Sequence, residues 1–147
     1  MDKKLLNQQS QHWEKSFSSK PEMFGSEPSH SAKIALENFQ KNNIKHIIEL
    51  GAGLGRDTIY FAKNSIKVTA LDYSPTAIKI IEHKSSSLGL SDFINVQTHD
   101  LKQNLNFKDN SFEGCYSHML YCMAFTYSEL ENLNDEICRV LKKDSLN

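Results

Sequence analysis

Three glycines alternate through one short turn, in the run Glu49-Leu-Gly-Ala-Gly-Leu-Gly55. Ile47 and Ile48 precede it, and a helical pattern, Asp57-Thr-Ile-Tyr-Phe-Ala, follows at once. Strand, glycine turn, helix is the order in which a parallel sheet offers backbone N–H groups to a ligand. Glycine suits such a turn because it tolerates positive φ and has no Cβ to hold a ligand away. About twenty residues on, Lys67-Val-Thr-Ala-Leu-Asp72 reads as a second strand that closes on a carboxylate. An acid at that place can accept hydrogen bonds from ribose hydroxyls, in nicotinamide dinucleotides and in other adenosine ligands alike. The glycine spacing separates the two classes. A dinucleotide fingerprint asks for glycine at position 56, which is Arg56 here, and the chain instead has Gly-x-Gly-x-Gly behind an acid, Glu49.

The elements that must position these groups alternate along the chain. Strands are predicted at His46 to Leu50, Lys67 to Asp72, Asn95 to Asp100 and Phe112 to about Ser117. Between them, a helix runs from about Asp57 to Lys63. Another opens at Ser74-Pro75 and closes near Gly89, with serine as N-cap and proline in the first turn. Leu101 to Asn110 is a polar loop. The last helix is expected from Ser128 to about Lys142, with Ser128-Glu-Leu-Glu131 as its capping box. Ahead of the first strand, Leu5, Leu6, Trp13 and Phe17 suit an amphipathic helix, and Ser29 or Ser31 caps a second one through about Asn42. Pro21, Gly25 and Pro28 forbid helix in between, leaving Met23 and Phe24 as packing anchors or part of a lid. Alternating strands and helices imply a parallel sheet with helices on both faces and a ligand at the carboxyl ends of the strands.

The chain of 147 residues fits a single domain, read as an N-terminal helical or lid segment over 1–43 and an α/β core over 44–147. Its net charge of -1 argues against a protein built mainly for nucleic acid or an anionic membrane. No apolar run approaches the ~20 residues of a membrane span. Three cysteines, Cys115, Cys122 and Cys138, without any Cys-x-x-Cys, read as free thiols in a reducing cytosol, so the chain is expected to be cytoplasmic. The histidines are scattered, and no metal site is expected.

Taken together and in order, Glu49-Leu-Gly-Ala-Gly-Leu-Gly55, Leu71-Asp72-Tyr73-Ser74-Pro75, His99-Asp100-Leu101, Phe112-Glu-Gly-Cys-Tyr-Ser117 and Glu136-Ile-Cys-Arg-Val-Leu-Lys142 resemble the class I S-adenosylmethionine-dependent methyltransferases. The resemblance runs from about residue 29 to the end. It implies a Rossmann-like sheet and S-adenosylmethionine as cofactor. Gly51, Ala52 and Gly53 would lie against the methionine part, with Glu49 holding that end. Asp72 would bind the ribose hydroxyls, Tyr73 would pack on the adenine, and Asp100 would accept from the adenine amino group with Leu101 near the ring. The backbone carbonyl of Ser117 would meet the cofactor's amino group. Each residue also has a plainer reading: Asp72 precedes a capped helix, Tyr73 packs, Asp100 sits on a solvated turn, Glu49 is a buried acid satisfied by backbone donors, and Asp57 is an acid favoured by a helix dipole. His118 and Tyr121 face the acceptor side, but no catalytic residue is assigned.

A sulfonium is an activated methyl donor, so in-line transfer chiefly needs donor and acceptor held close and aligned. The family's Asn-Pro-Pro-Tyr signature for exocyclic amines is absent after strand four, which reads Ser117-His-Met-Leu-Tyr121. With the balanced charge, a small-molecule acceptor is expected rather than nucleic acid. Family members have seven strands, ordered 3-2-1-4-5-7-6, and only the 3-2-1-4 half is expected here. Strand four would then be an open edge, a pairing hazard. A second copy or a partner is expected to cover it, or the chain is a truncated product. The other readings are a non-catalytic module that binds S-adenosylmethionine or a partner, and a nicotinamide-dependent oxidoreductase.

Overall fold

The computed structural model describes residues 3–121 and 123–146. In order, the elements are α1 (Lys3–Ser19), α2 (His30–Lys41), β1 (His46–Leu50), α3 (Arg56–Lys63), β2 (Lys67–Asp72), α4 (Pro75–Ser87), β3 (Ile94–Thr98), β4 (Phe112–Ser117), α5 (Tyr127–Val140) and β5 (Leu141–Leu146). The five strands form one parallel sheet in the order β3-β2-β1-β4-β5. The order reverses at β1, so a crevice opens above the carboxyl ends of β1 and β4, where open α/β sheets take their ligands.

Alternation along β1 splits the core between the two faces. Ile47 packs with Ala32, Leu36, Phe39 and Phe61 from α2 and α3. Ile48 and Leu50 pack on the other side with Leu133, Ile137 and Val140 of α5. A smaller cluster of Phe17, Leu54 and Ala77, joined by Trp13 and Ile80, seats α1 against α4. The helix starts follow from local chemistry. Ser29 and Ser74 each accept the N–H three residues on, from Ala32 and Ala77 at 3.1 Å, capping α2 and α4.

Two expectations for the C-terminus are corrected. The capping box of α5 is Thr126 with Glu129, not Ser128 with Glu131, and Ser128 lies inside the helix. The helix then stops at Val140. Leu141 adopts extended geometry (ψ 139°) and begins a fifth strand against Phe112 of β4. The described residues therefore supply five strands rather than four. The edge of strand four, expected to be open and covered by another copy, is paired with β5. β5 is now the sheet edge, and the expected association through strand four loses its premise.

Of the cysteines, Cys115 is buried and Cys138 exposed, both as free thiols, and Cys122 lies outside the described residues. No group of metal-ligating side chains occurs among the described residues, and no helix among them is long and apolar enough to cross a membrane.

Candidate functional site

The glycine turn departs from the expected display of N–H groups. Gly51 and Ala52 both donate to the carbonyl of Leu71, at 2.9 Å, and Gly53 donates to Oδ2 of Asp72 at 2.8 Å. These donors bind the turn to β2 rather than to a ligand. Gly55 explains a further part of the motif. It sits at φ 82°, and a Cβ there would come within 2.6 Å of Ile81 Cγ1, so only glycine lets α3 and α4 approach this closely.

Asp72 is buried at the end of β2, with Oδ2 on Gly53 N and Oδ1 on Ser74 N at 2.9 Å. It thus ties the turn to the start of α4. Burial pushes its pKa up, and the two backbone N–H groups pull it back. A carboxylate has about four acceptor positions, so room for further hydroxyl donors remains. Glu49, on β1, is 3% exposed and accepts from Thr58 Oγ1 of α3 at 2.5 Å. Its pKa is pushed up to about 8, mainly by burial, with Asp57 and Asp72 adding to the rise and Thr58 opposing it. The carboxyl is therefore largely protonated at neutral pH. Asp57 heads α3, as the helix-dipole reading had it, but its side chain does more. Oδ1 accepts from Ser29 N (2.8 Å), and Oδ2 accepts from Ser29 Oγ (2.7 Å) and Tyr116 OH (2.8 Å). The carboxylate locks α2, α3 and β4 together beneath the crevice. Asp100 is exposed after β3, with Oδ1 accepting from Lys102 N at 3.0 Å.

Helix α1 crosses above these groups. Tyr73 donates its hydroxyl to the carbonyl of Ser10 at 2.7 Å. Gln9 Oε1 accepts from Ala124 N, beyond β4, at 2.8 Å. Glu14 accepts from the hydroxyls of Ser74 and Thr76, which hold its carboxylate below the usual range. On the far side, Arg139 bonds Glu136, Asp109 and the carbonyls of Leu105 and Phe107, fixing the loop between β3 and β4.

Between α1 and the sheet lies a cavity of about 530 Å³, within the range of small-molecule and cofactor pockets. Glu49, Gly51, Ala52, Gly53, Asp72, Tyr73, Asp100 and Leu101 all line it. Ser117 does not line it, and the next residue, His118, does. Tyr121 is also outside, with its hydroxyl on Asn134 Oδ1 at 3.3 Å. The opposite wall is largely apolar: Trp13, Phe17, Phe24, Met119, Leu120, Met123 and Phe125. Sequence reasoning missed Gln9, Ser10, Met123, Phe125 and His99, whose Nε2 is buried without a hydrogen-bond partner. The spacing of Trp13 and Phe17 marked their helix, but nothing local marked the groups it would cover.

A methyltransferase domain family model matches residues 47–144, from the first strand into the fifth. The chain belongs to that family. Its sequence is 26% identical over 106 residues to the sterol 4-C-methyltransferase strm-1 of Caenorhabditis elegans, covering 72% of this chain and 30% of that protein. Among solved structures, it resembles a putative S-adenosyl-L-methionine-dependent methyltransferase of Methanococcus maripaludis (TM-score 0.66, 22% identity, 97% of this chain and 62% of that one). It also resembles the [4+2]-cyclase SpnF (TM-score 0.72, 19% identity, 92% and 56%). At these identities the structures show the fold, and the chain spans less than two thirds of each of these proteins.

S-adenosylmethionine is the cofactor this membership implies, and the residues present fit it. A pocket of nucleoside size has a buried carboxylate with acceptor positions left open in its wall, as a ribose diol requires. Burial of Asp72 and Glu49 is tolerable where hydroxyls and a cation can reach them.

Proposed function

We propose that this domain catalyses S-adenosylmethionine-dependent methylation of a small-molecule acceptor. The observation that carries this reading is the two-sided cavity: polar groups at the carboxyl ends of β1, β2 and β3 face an apolar wall made by α1 and the segment after β4. On the polar side, Asp72 takes the ribose hydroxyls and Tyr73 flanks the adenine. Asp100 accepts from its amino group, with Leu101 beside the ring. Glu49 and the turn from Gly51 to Gly53 receive the methionine end. Ser117 keeps a backbone part at most, and His118 is the better placed residue there.

Bound S-adenosylmethionine supplies a methyl group already activated on sulfonium sulfur. The protein's task is then alignment and exclusion of water. Trp13, Phe17, Met123 and Phe125 provide a dry surface that orients an apolar acceptor beside the polar half. No base is needed unless the acceptor must lose a proton, and His118 is the cavity residue suited to take one.

The test is calorimetric titration with S-adenosylmethionine, S-adenosylhomocysteine and NAD. Turnover assays follow on a panel of apolar acceptors, with sterols included because of the nematode relative. Binding of the two adenosyl ligands together with turnover supports the reading. Binding without turnover on any acceptor favours a non-catalytic module, and binding of NAD alone overturns it.

A further inference from the structure

Arg56 is out of place by local physics. It occupies the first position of α3, where the helix dipole disfavours a cation. It lines the cavity and has no carboxylate partner among the described residues, while the other lining cation, Lys102, pairs with Glu129 at 3.7 Å. The neighbouring Asp57 cannot serve it, because both its oxygens are engaged by Ser29 and Tyr116. Instead the guanidinium lies 5.5 Å from the centre of the Phe24 ring, which also lines the cavity. A ring face holds an arginine by its charge while leaving the planar N–H fork free. That fork matches a carboxylate in two parallel hydrogen bonds.

We infer that Arg56, steadied by Phe24, is a carboxylate-binding group of this cavity. The inference rests on the proposed cofactor reading. Two carboxylates can reach such a pocket: the α-carboxylate of the methionine moiety and a carboxylate on the acceptor. The lining acids sharpen the assignment. Glu49 and Asp57 are taken up by Thr58, Ser29 and Tyr116, and Asp72 and Asp100 present acceptor oxygens to a ligand's hydroxyl and amino groups. Of the two lining cations, Arg56 and Lys102, only Arg56 has no carboxylate partner among the described residues.

The experiment compares the wild type with Arg56→Met and Arg56→Lys. Each is titrated with S-adenosylhomocysteine and with its decarboxylated analogue, which keeps the adenosine, thioether and amine. Calorimetry also reads the binding of indole-3-carboxylate or its methyl ester to the S-adenosylhomocysteine complex. If the cofactor is the source, Arg56→Met weakens S-adenosylhomocysteine about 10- to 100-fold and spares the decarboxylated analogue, with Arg56→Lys between. If the acceptor is the source, nucleoside affinities stay constant and the preference for the aromatic carboxylate over its ester disappears. Equal effects on ligands with and without the carboxylate, or no effect on any, overturn the inference while leaving the cofactor reading intact. A wild type that binds neither nucleoside overturns both. Thermal melts of both variants establish that the compared proteins are folded.

Discussion

Below the cavity, Asp72 accepts the N–H groups of Gly53 and Ser74, Leu71 accepts those of Gly51 and Ala52, and Asp57 draws α2, α3 and β4 onto one carboxylate. Above it, α1 is held by Tyr73 on Ser10, Gln9 on Ala124, Glu14 on two hydroxyls, and the small cluster around Phe17. The floor's polar groups are mostly buried and bonded to main chain. The roof's are partly solvated and sit at side-chain tips. Removing a partner from a buried donor costs its full desolvation, whereas a solvated one turns to water. The floor is thus a fixed template, and the roof can open over it at modest cost.

The sharpest way to break this comparison is at Gly55. Gly55→Ala must accommodate a Cβ 2.6 Å from buried Ile81 and hold alanine at φ 82°. We expect a loss of about 4 kcal/mol from overpacking and left-handed strain together, read as a drop in the urea midpoint at constant slope. A loss below 1 kcal/mol would mean that the floor is as adjustable as the roof.

Asp72→Ala is the next largest. It leaves the Gly53 and Ser74 N–H groups without their acceptor, and about 3 kcal/mol of stability should go. Binding of S-adenosylmethionine should fall with it. Asp72→Asn keeps one acceptor oxygen, so it should recover part of the stability and less of the affinity.

Glu49 makes the floor sensitive to pH. Its folded pKa of about 8 lies above the ordinary value of 4.5, so the folded chain holds a proton that the unfolded chain has released. Stability from this group is greatest below pH 4.5 and is lost as pH rises towards 8, at about 1 kcal/mol per unit within the window. Asp72 is shifted in the same direction, while Glu14 and Glu136 are shifted down and lose stability on acidification instead. Glu49→Gln keeps an acceptor for Thr58 without the ionisation. It should match the wild type near pH 5 and exceed it by about 3 kcal/mol at pH 8, flattening the profile. If the stability of Glu49→Gln, from urea midpoints, falls with pH as steeply as that of the wild type, Glu49 is not the source of the dependence.

Much of the floor was legible because its signals are local. The alternating glycines, the acid ending β2, and Ser74-Pro75 ahead of an apolar stripe each act within a few residues. The missed features join distant residues. Asp57 meets Ser29 and Tyr116, 28 and 59 residues away, and Gln9 meets Ala124 across 115 residues, so no spacing rule reaches them. Leu141 misled for another reason. It falls four residues after Ile137 and extends the helical stripe on paper, but pairing with Phe112 draws it into a strand. Helix caps compete in the same way: Thr126 and Ser128 both precede a glutamate by three, and only the backbone decides.

The smallest expected effect sharpens the account of the roof. Tyr73→Phe removes the hydroxyl that reaches the Ser10 carbonyl but keeps the ring in the cavity wall. The lost bond is exposed, so global stability should fall by only about 0.5–1 kcal/mol. Local opening should change more. Trp13 is the only tryptophan and sits on α1 facing the cavity, so acrylamide quenching of its fluorescence reads the roof directly. Quenching should rise in Tyr73→Phe and in Gln9→Ala, and hydrogen exchange should quicken along α1 while β1 and β2 keep their protection. Saturating S-adenosylhomocysteine should restore low quenching in both variants, because a ligand under α1 replaces the missing anchor. If instead the β1 and β2 amides exchange faster along with α1, roof and floor open as one unit, and the division between a fixed template and an adjustable cover fails.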